Sequence, residues 1–351
     1  MTHHGIGIIG VGMIATMHAK AIDSIENAKV VACFDISKER VDHFASAYDC
    51  IGYTDLDEFL NDQNITIVNI CTPSGLHRDS AVKAAAAKKH LIIEKPLEIT
   101  VERCDEIIEA ARSNNVVLSG IFPSRFHEVS IQIKQAIEKE RLGKIVLGDA
   151  YVKWYRSQQY YDSSPWKGTW ALDGGGALMN QSIHAVDLLQ WFMGPVKSVT
   201  AVSRTLTHTG IEVEDTAVAI LNFANGAMGV IEGTTSAYPG FFKKIEISGD
   251  KGSIVMEEED LALWKFEEET EADEQIRKEF SSKTKTGGGA SDPAAIGYIG
   301  HKKQIANVLD AIENNSELLI DGHEARKAVE IIEAIYKSSK EGRTIDLPLQ
   351  S

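Results

Sequence analysis

Gly10-Val11-Gly12-Met13-Ile14-Ala15 stands directly behind a short apolar run, Ile6 to Ile9. A turn of this composition can bring main-chain N–H groups against a pyrophosphate. Gly10 permits the tight turn, and Gly12 lets the backbone approach the phosphates. Ala15, in place of a third glycine, still allows close helix–strand packing. A helix opening at Met13 and Ile14 adds free N–H groups and a partial positive charge. The next apolar run, Val30 to Phe34, ends in Asp35, 25 residues after Gly10. That is near the spacing of about 20 for an acid that binds the adenosine ribose hydroxyls. A carboxylate there repels a 2′-phosphate, and Ile36 and Ser37 offer no arginine to receive one. NAD is therefore expected over NADP, with Lys38 and Arg40 as the residues that could soften the preference. A glycine-rich turn without a ligand is the plain alternative, and Asp35 argues against it.

Two further side chains are placed to handle a proton or a charge. Lys95 follows the apolar run Leu91 to Glu94 and precedes Pro96. A cation at the C-terminal end of a parallel strand lies where such folds bind ligands, and it would favour an alkoxide-like state. A solvated strand-end lysine is the alternative. His184 lies beyond the bend Gly174-Gly175-Gly176, near the start of a predicted helix. An imidazole titrates near neutrality and suits removal of a hydroxyl proton. A histidine making only a structural bond at a helix N-terminus is the alternative. Asp187, three positions on, could share its side of the helix and act as an anionic partner. Lys95, or a tyrosine such as Tyr161, is the substitute for proton transfer if His184 is not the base.

The elements that must carry these residues come in two textures. Up to residue 122, strand-like and helix-like runs alternate. The strands are Ile6–Ile9, Val30–Phe34, Thr66–Cys71, Leu91–Glu94 and Val116–Ile121. The helices fall near Met13–Ser24, Lys38–Tyr48, Leu76–Lys88 and Val101–Asn114. Strands this apolar, alternating with helices, predict a doubly wound parallel sheet, a Rossmann domain over residues 1–122. Residues 123–351 read as an α+β domain with a large, mostly antiparallel, open-faced sheet. A helix near Val129–Arg141 leads into Ile145–Tyr155, Val196–Leu206, Thr216–Phe223 and Ala227–Thr235, with an Asn225-Gly226 hairpin turn. Shorter strands follow at Lys244–Ser248, Ser253–Met256 and Leu261–Phe266. Helices are expected at Ile183–Met193, Ile299–Asn314 and Glu324–Lys340. The acidic stretch Glu257–Glu274 reads as a solvated hairpin and loop, and Gly287-Gly288-Gly289 as a flexible loop.

Composition narrows the function. The 351 residues carry a net charge of −15, which argues against a nucleic-acid surface and against anionic membranes. Neither a signal peptide nor a membrane span is expected, and a cytoplasmic location follows. Cys33, Cys50, Cys71 and Cys104 lack C-x-x-C spacing, so no zinc or redox-disulfide motif is read. Trp154, Tyr155, Tyr160, Tyr161, Trp166 and Trp170 cluster before the glycine bend. Their faces suit the C–H faces of a sugar, and a sheet face or subunit interface explains them equally well. Arg125 and His127, just past the domain junction, could reach a substrate cleft; Tyr298 and His301 are weaker candidates. A sheet with too few helices to cover both faces predicts a homodimer or homotetramer.

Two more motifs complete a pattern: Cys71-Thr72-Pro73-Ser74-Gly75-Leu76-His77 and Glu94-Lys95-Pro96. With the N-terminal glycines, the Asn180-x-x-x-His184-x-x-Asp187 stretch and Gly300-His301-Lys302-Lys303-Gln304, the chain resembles the glucose–fructose oxidoreductase, inositol dehydrogenase and rhizopine-catabolism family (Gfo/Idh/MocA). The resemblance covers nearly the whole chain. It implies an NAD-dependent enzyme acting on a secondary hydroxyl of a sugar, nucleotide-sugar or cyclitol. It implies that Thr72, Pro73, His77 and Trp166 serve the cofactor and that Glu94 and Lys95 lie at the nicotinamide. Lys95, Arg125, Tyr155, Tyr161, Asn180 and His184 would meet the substrate, with Lys95, His184 and Asn180 catalytic and Pro96 in a cis peptide. Many members have aspartate where Asn180 stands; asparagine occurs there in some nucleotide-sugar dehydrogenases. The competing functions are a glycosidase that uses bound NAD for transient oxidation, and a non-catalytic dinucleotide sensor.

Overall fold

The computed structural model describes residues 3–281 and 297–349. Gly287–Gly289 lies outside them. The chain divides into two compact units, Met1–Pro123 with Gly297–Val329, and Ser124–Ile296 with Glu330–Ser351.

The first unit is a six-stranded parallel sheet. Its strands are β1 (His4–Ile9), β2 (Ala28–Phe34), β3 (Ile51–Tyr53), β4 (Ile67–Ile70), β5 (His90–Ile93) and β6 (Leu118–Gly120), in the order β3-β2-β1-β4-β5-β6. That order is a dinucleotide fold's, with its switch point between β1 and β4. The crossover helices are α1 (Met13–Asp23), α2 (Lys38–Tyr48), α3 (Leu56–Asn61), α4 (His77–Ala86) and α5 (Val101–Asn114). β3 and α3 escape the sequence reading because three and six residues are too short for a hydrophobic period to show. α1 buries Ala15, His18, Ala19 and Ile22, a stripe at helical spacing.

The expected second domain, 123–351, loses residues 297–329 to this unit. α10 (Ile299–Asn314) contributes Ile305, Val308 and Leu309 to the core that holds Ile6, Ile8 and Ile22. Gln304 fixes it, accepting from the Phe122 amide and donating to the Gly120 carbonyl. Sequence shows that α10 is amphipathic but not which core receives its face.

The second unit is built on an eight-stranded sheet. Its strands are β7 (Ile145–Lys153), β8 (Val196–Arg204), β9 (Thr216–Phe223), β10 (Met228–Thr234), β11 (Lys244–Gly249), β12 (Gly252–Glu257), β13 (Asp260–Phe266) and β14 (Ile345–Asp346). They are ordered β13-β12-β11-β7-β10-β9-β8-β14; β7 and β10 run parallel and the other pairs antiparallel. The helices are α6 (Glu128–Glu138), α7 (Gln158–Asp162), α8 (Ile183–Met193), α9 (Glu271–Phe280) and α11 (Gly322–Glu341), and the division between units falls inside α11. α8 covers one sheet face so closely that a Cβ at Gly148 would come within 2.4 Å of Met193 Sδ. β9 alternates buried Ala217, Ala219, Leu221 and Phe223 with outward residues, among them Val218 and Ile220.

The acidic stretch opens with the hairpin expected, β12 pairing antiparallel with β13, but the loop expected after it is in part a helix. β13 is followed by α9, whose Thr270–Asp273 capping box closes the helix start. Asp273 is fully buried and accepts from Arg141 and Trp264 Nε1. The run of glutamates hid a Thr-x-x-Asp signal that was present.

Candidate active site

In the first unit the glycine loop is shaped for a ligand. Gly10 has φ +85°, and a Cβ there would meet the Thr72 amide at 2.9 Å. A Cβ at Gly12 would meet nothing within 4 Å, so the main chain is open to close approach. Gly12 caps α1 without a side-chain bond, leaving first-turn N–H groups for a ligand. Met13 and Ile36 flank the loop, 76% and 91% exposed, far above the usual state of such side chains. Beside the loop, Thr72 Oγ1 is buried with no hydrogen-bond partner among the described residues. An open cradle, a helix start and an orphaned hydroxyl together fit a dinucleotide.

Asp35 directly follows the last residue of β2. Its carboxylate accepts from the Val11 amide at 3.1 Å and the Ser37 amide at 2.9 Å. Arg40 approaches it to 4.0 Å. Asp35→Ala is expected to raise NADP affinity relative to NAD, because it removes the repelling charge and leaves Arg40 behind. Calorimetry with both cofactors in one buffer checks this; an unchanged ratio would refute the carboxylate argument.

Pro73 leads into a short 3-10 turn, Ser74–Leu76. His77 does not present its ring outward, as a cofactor contact would require. It is buried, with Nδ1 3.0 Å from the Pro96 carbonyl and Nε2 3.0 Å from the Thr72 carbonyl. Burial lowers its pKa, so the neutral ring donates to one carbonyl and ties that loop. Lys95 is half-buried at the end of β5, and the Lys95–Pro96 peptide is cis. Glu94 is buried. Burial pushes its carboxyl up, but the hydrogen bond from His18 and the nearby His301 ring outweigh that and hold it well below the usual carboxylate range.

In the second unit, Gly174–Gly176 leads into a π-helix, Ala177–Ser182, that runs directly into α8. Such π segments recur at functional sites. Asn180 lies in it and His184, half-buried, in the first turn of α8. Asn180 Nδ2 donates to Asp173, and Gln181 Nε2 donates to Asn180 Oδ1 at 3.0 Å. A carboxylate, that of Asp173, therefore sits directly beside Asn180. Asp187 pairs with Arg125, which donates to it twice, at 2.9 and 2.7 Å, with both side chains buried. This corrects Arg125, whose guanidinium is wholly inside and committed to an ion pair rather than offered to substrate.

Tyr161 is corrected too. It is buried, its hydroxyl bonds Thr235 Oγ1 at 2.9 Å, and burial pushes the phenol's pKa upward, away from use as a base. Tyr155 packs edge-on against Tyr238 with ring centres 5.3 Å apart. Trp166 is half-buried in the turn after α7, where its carbonyl accepts from Thr169. Arg156 and Lys167 both lie over the Tyr160 ring.

The segment Glu212–Asp215, which sequence reading passed over, organises this region. Glu212 accepts from the Trp170 amide, and Asp215 accepts from the amides of Leu206, Thr207 and His208. Glu214 accepts from the Gly176 and Leu178 amides and from Tyr336, gripping the start of the π-helix. Burial pushes its carboxyl up to about 7 against the pull of those donors. The one signal in sequence was an acidic run directly before an alternating strand.

Comparison with known proteins gives the family. Residues 4–122 match the oxidoreductase family with an NAD-binding Rossmann fold, and residues 130–255 match the GFO/IDH/MocA C-terminal domain. Myo-inositol 2-dehydrogenase of Thermotoga maritima is 31% identical over 254 residues, 71% of this chain and 74% of that enzyme. The WlbA dehydrogenase of Bordetella pertussis, solved in complex with NADH and UDP-GlcNAcA, is 33% identical with a TM-score of 0.90, covering 100% of this chain and 99% of that one. The WlbA dehydrogenase of a Chromobacterium, in the same complex, is 31% identical at 0.90, covering 100% and 98%. The chain is a member of the GFO/IDH/MocA family of oxidoreductases.

Proposed function

We propose that the chain is an NAD-dependent dehydrogenase that oxidises a secondary hydroxyl of a nucleotide-activated sugar of the UDP-GlcNAcA type. The observation that carries this reading is end-to-end likeness, at 33% identity, to an enzyme solved with NADH and that sugar nucleotide. Asn180 supports it, since asparagine resembles the nucleotide-sugar members at that position. The Thermotoga maritima myo-inositol 2-dehydrogenase matches over 71% of the chain, and an inositol 2-dehydrogenase of Rhizobium meliloti matches over 97% of it at the lower identity of 25%.

Gly10, Gly12, Asp35 and Thr72 would hold the dinucleotide, which when bound accepts hydride from the carbinol carbon. Lys95 Nζ steadies the hydroxyl oxygen as it gains negative charge. His184 takes the proton, and Asn180, fixed by Asp173 and Gln181, orients the sugar.

The test is NADH absorbance with UDP-GlcNAcA, inositols, levoglucosan, free aldoses and glycosides. Net NADH with the sugar nucleotide, at a kcat/KM at least tenfold above the others, is expected. Release of free sugar from a glycoside without net NADH would assign a cofactor-recycling glycosidase instead. NAD binding with no turnover of any compound would assign a sensor.

The same reading includes a homodimer or homotetramer joined through the outer sheet face. Val202 lies opposite Val218, Ile220 opposite Val230, and Met228 opposite Leu147 across β8, β9, β10 and β7. Val218, Ile220 and Met228 are 47%, 53% and 55% exposed, a contiguous apolar patch that favours a partner. Light scattering at micromolar concentration is expected to give a multiple of the chain mass; a monomer refutes it. Among the described residues, no helix is long and apolar enough to cross a membrane.

A further inference from the structure

Inside the first unit a single line of hydrogen bonds runs from β4 to the backbone of Lys95. Cys71 Sγ lies 3.8 Å from Asn69 Oδ1 and donates to it. Asn69 Nδ2 stands 2.7 Å from His18 Nδ1, and His18 Nε2 stands 2.6 Å from Glu94 Oε1. The other oxygen, Glu94 Oε2, accepts the Lys95 amide at 3.0 Å. Asn69, His18, Cys71 and Glu94 are all buried.

The protonation states make the line directional. Burial raises the Cys71 thiol well above its ordinary value, so it stays a donor. With Asn69 Oδ1 receiving the thiol, its amide nitrogen faces His18 Nδ1, which must accept. His18 then carries its proton on Nε2, aimed at Glu94. Burial lowers the His18 pKa and Glu94 opposes that, with burial prevailing, so the ring is neutral. The Glu94 carboxylate is the charged member.

His301 Nε2 lies 3.7 Å from the same Glu94 oxygen, and its ring meets the His18 ring edge-on. The donor atoms of His18, Glu94 and His301 lie within 4.8 Å of one another, close enough to consider a cation. A separation of 2.6 Å between His18 and Glu94 is a direct hydrogen bond, shorter than the roughly 3 Å span between two ligands each about 2 Å from a zinc ion. The cluster is a clamp on the carboxylate. The titratable groups facing Glu94 are His18 from α1, His301 from α10, Cys71 from the loop after β4, His77 from the first residue of α4, and the adjoining Lys95.

We propose that Asn69 and His18, with His301, are positioning residues that orient the Glu94 carboxylate and through it fix the main chain at Lys95. The effect on turnover rests on the dehydrogenase reading; the clamp does not.

His18→Leu and His18→Gln separate the clamp from simple packing. Both lack the imidazole, but the Gln amide can still donate to Glu94. In the wild type the Glu94 pKa lies below its unfolded value. Its stability contribution is therefore present above about pH 4.3 and lost as pH falls through the folded pKa. In the Leu variant the carboxylate loses a donor and takes a proton at higher pH. The Gln-over-Leu difference in melting temperature is therefore expected to be about twice as large at pH 8 as at pH 5. Adding Glu94→Gln should abolish that pH dependence. Hydrogen exchange at the Lys95 amide should be faster by about tenfold in the Leu variant than in the Gln variant.

With a turned-over substrate, His18→Leu should lower kcat about tenfold or more and leave NAD affinity within about twofold, with His18→Gln recovering most of the loss. If His18→Leu does not fold, His301→Leu against His301→Gln carries the same comparison. A pH-independent Gln-over-Leu difference, or equal Lys95 exchange in both variants, overturns the clamp. So does a zinc ion found by native mass spectrometry in the wild type and lost in His18→Gln. If no compound is oxidised, the dehydrogenase reading fails while melting and exchange still decide the clamp. If kcat is unchanged in an active, folded His18→Leu, the positioning role fails and the dehydrogenase reading stands.

Discussion

His184→Ala is expected to lower turnover by about 10²–10⁴-fold, the usual loss on removing a general base, while NAD affinity stays close to wild type. The split is expected because His184 belongs to the second unit, whereas the glycine loop and Asp35 belong to the first. The chain on either side of His184 is held by several hydrogen bonds. A π-helix precedes it, Glu214 grips the start of that π-helix, and Asp173 and Gln181 hold Asn180. Higher pH should partly restore the Ala variant, since solvent can then remove the hydroxyl proton. Lys95→Ala should also lower turnover but respond less to pH, because its loss removes charge stabilisation rather than a proton acceptor. Initial rates from pH 6 to 9 with saturating NAD check this. Near-normal turnover of His184→Ala across that range would remove it as the base. Tyr161 would not inherit the role, being buried and bonded to Thr235.

What sequence alone disclosed follows a physical line. Interactions local in the chain were legible. The turn at Gly10, the carboxylate directly after β2 and the alternation of β9 each depend on a few neighbouring residues, and each is present. Interactions between distant residues were not. Glu214 reaches Gly176 across 38 positions and Tyr336 across 122, and Gln304 reaches Phe122 across 182. His18 shows the same limit. A histidine on the buried stripe of α1 is visible as an oddity, but only the fold brings it to Asn69 and Glu94. Charged residues misled most. Arg125 and Asp187 carry the side chains a substrate site would use, and nothing in their spacing shows that they consume each other.

That pair supports the second large effect. Arg125→Ala is expected to destabilise the protein by about 3–5 kcal/mol, the usual result of removing one partner of a buried ion pair. The guanidinium donates through Nε and a terminal nitrogen to the two oxygens of Asp187, and both side chains are about 1% exposed. The Trp191 ring lies 5.4 Å from the Arg125 guanidinium carbon, so truncation also removes a packed cation from an aromatic face. Alanine leaves the buried Asp187 carboxylate without its two Arg125 hydrogen bonds, and that loss supplies most of the cost. Arg125→Met combined with Asp187→Leu should therefore be far less damaging than Arg125→Ala, because no charge is left unpaired. Lysine at 125 should recover little, since it cannot supply the two-pronged geometry. Urea unfolding of the three variants against wild type checks the order. A stable Arg125→Ala with a raised substrate KM would instead return Arg125 to the substrate site, and the pairing with Asp187 would then be one the protein can give up.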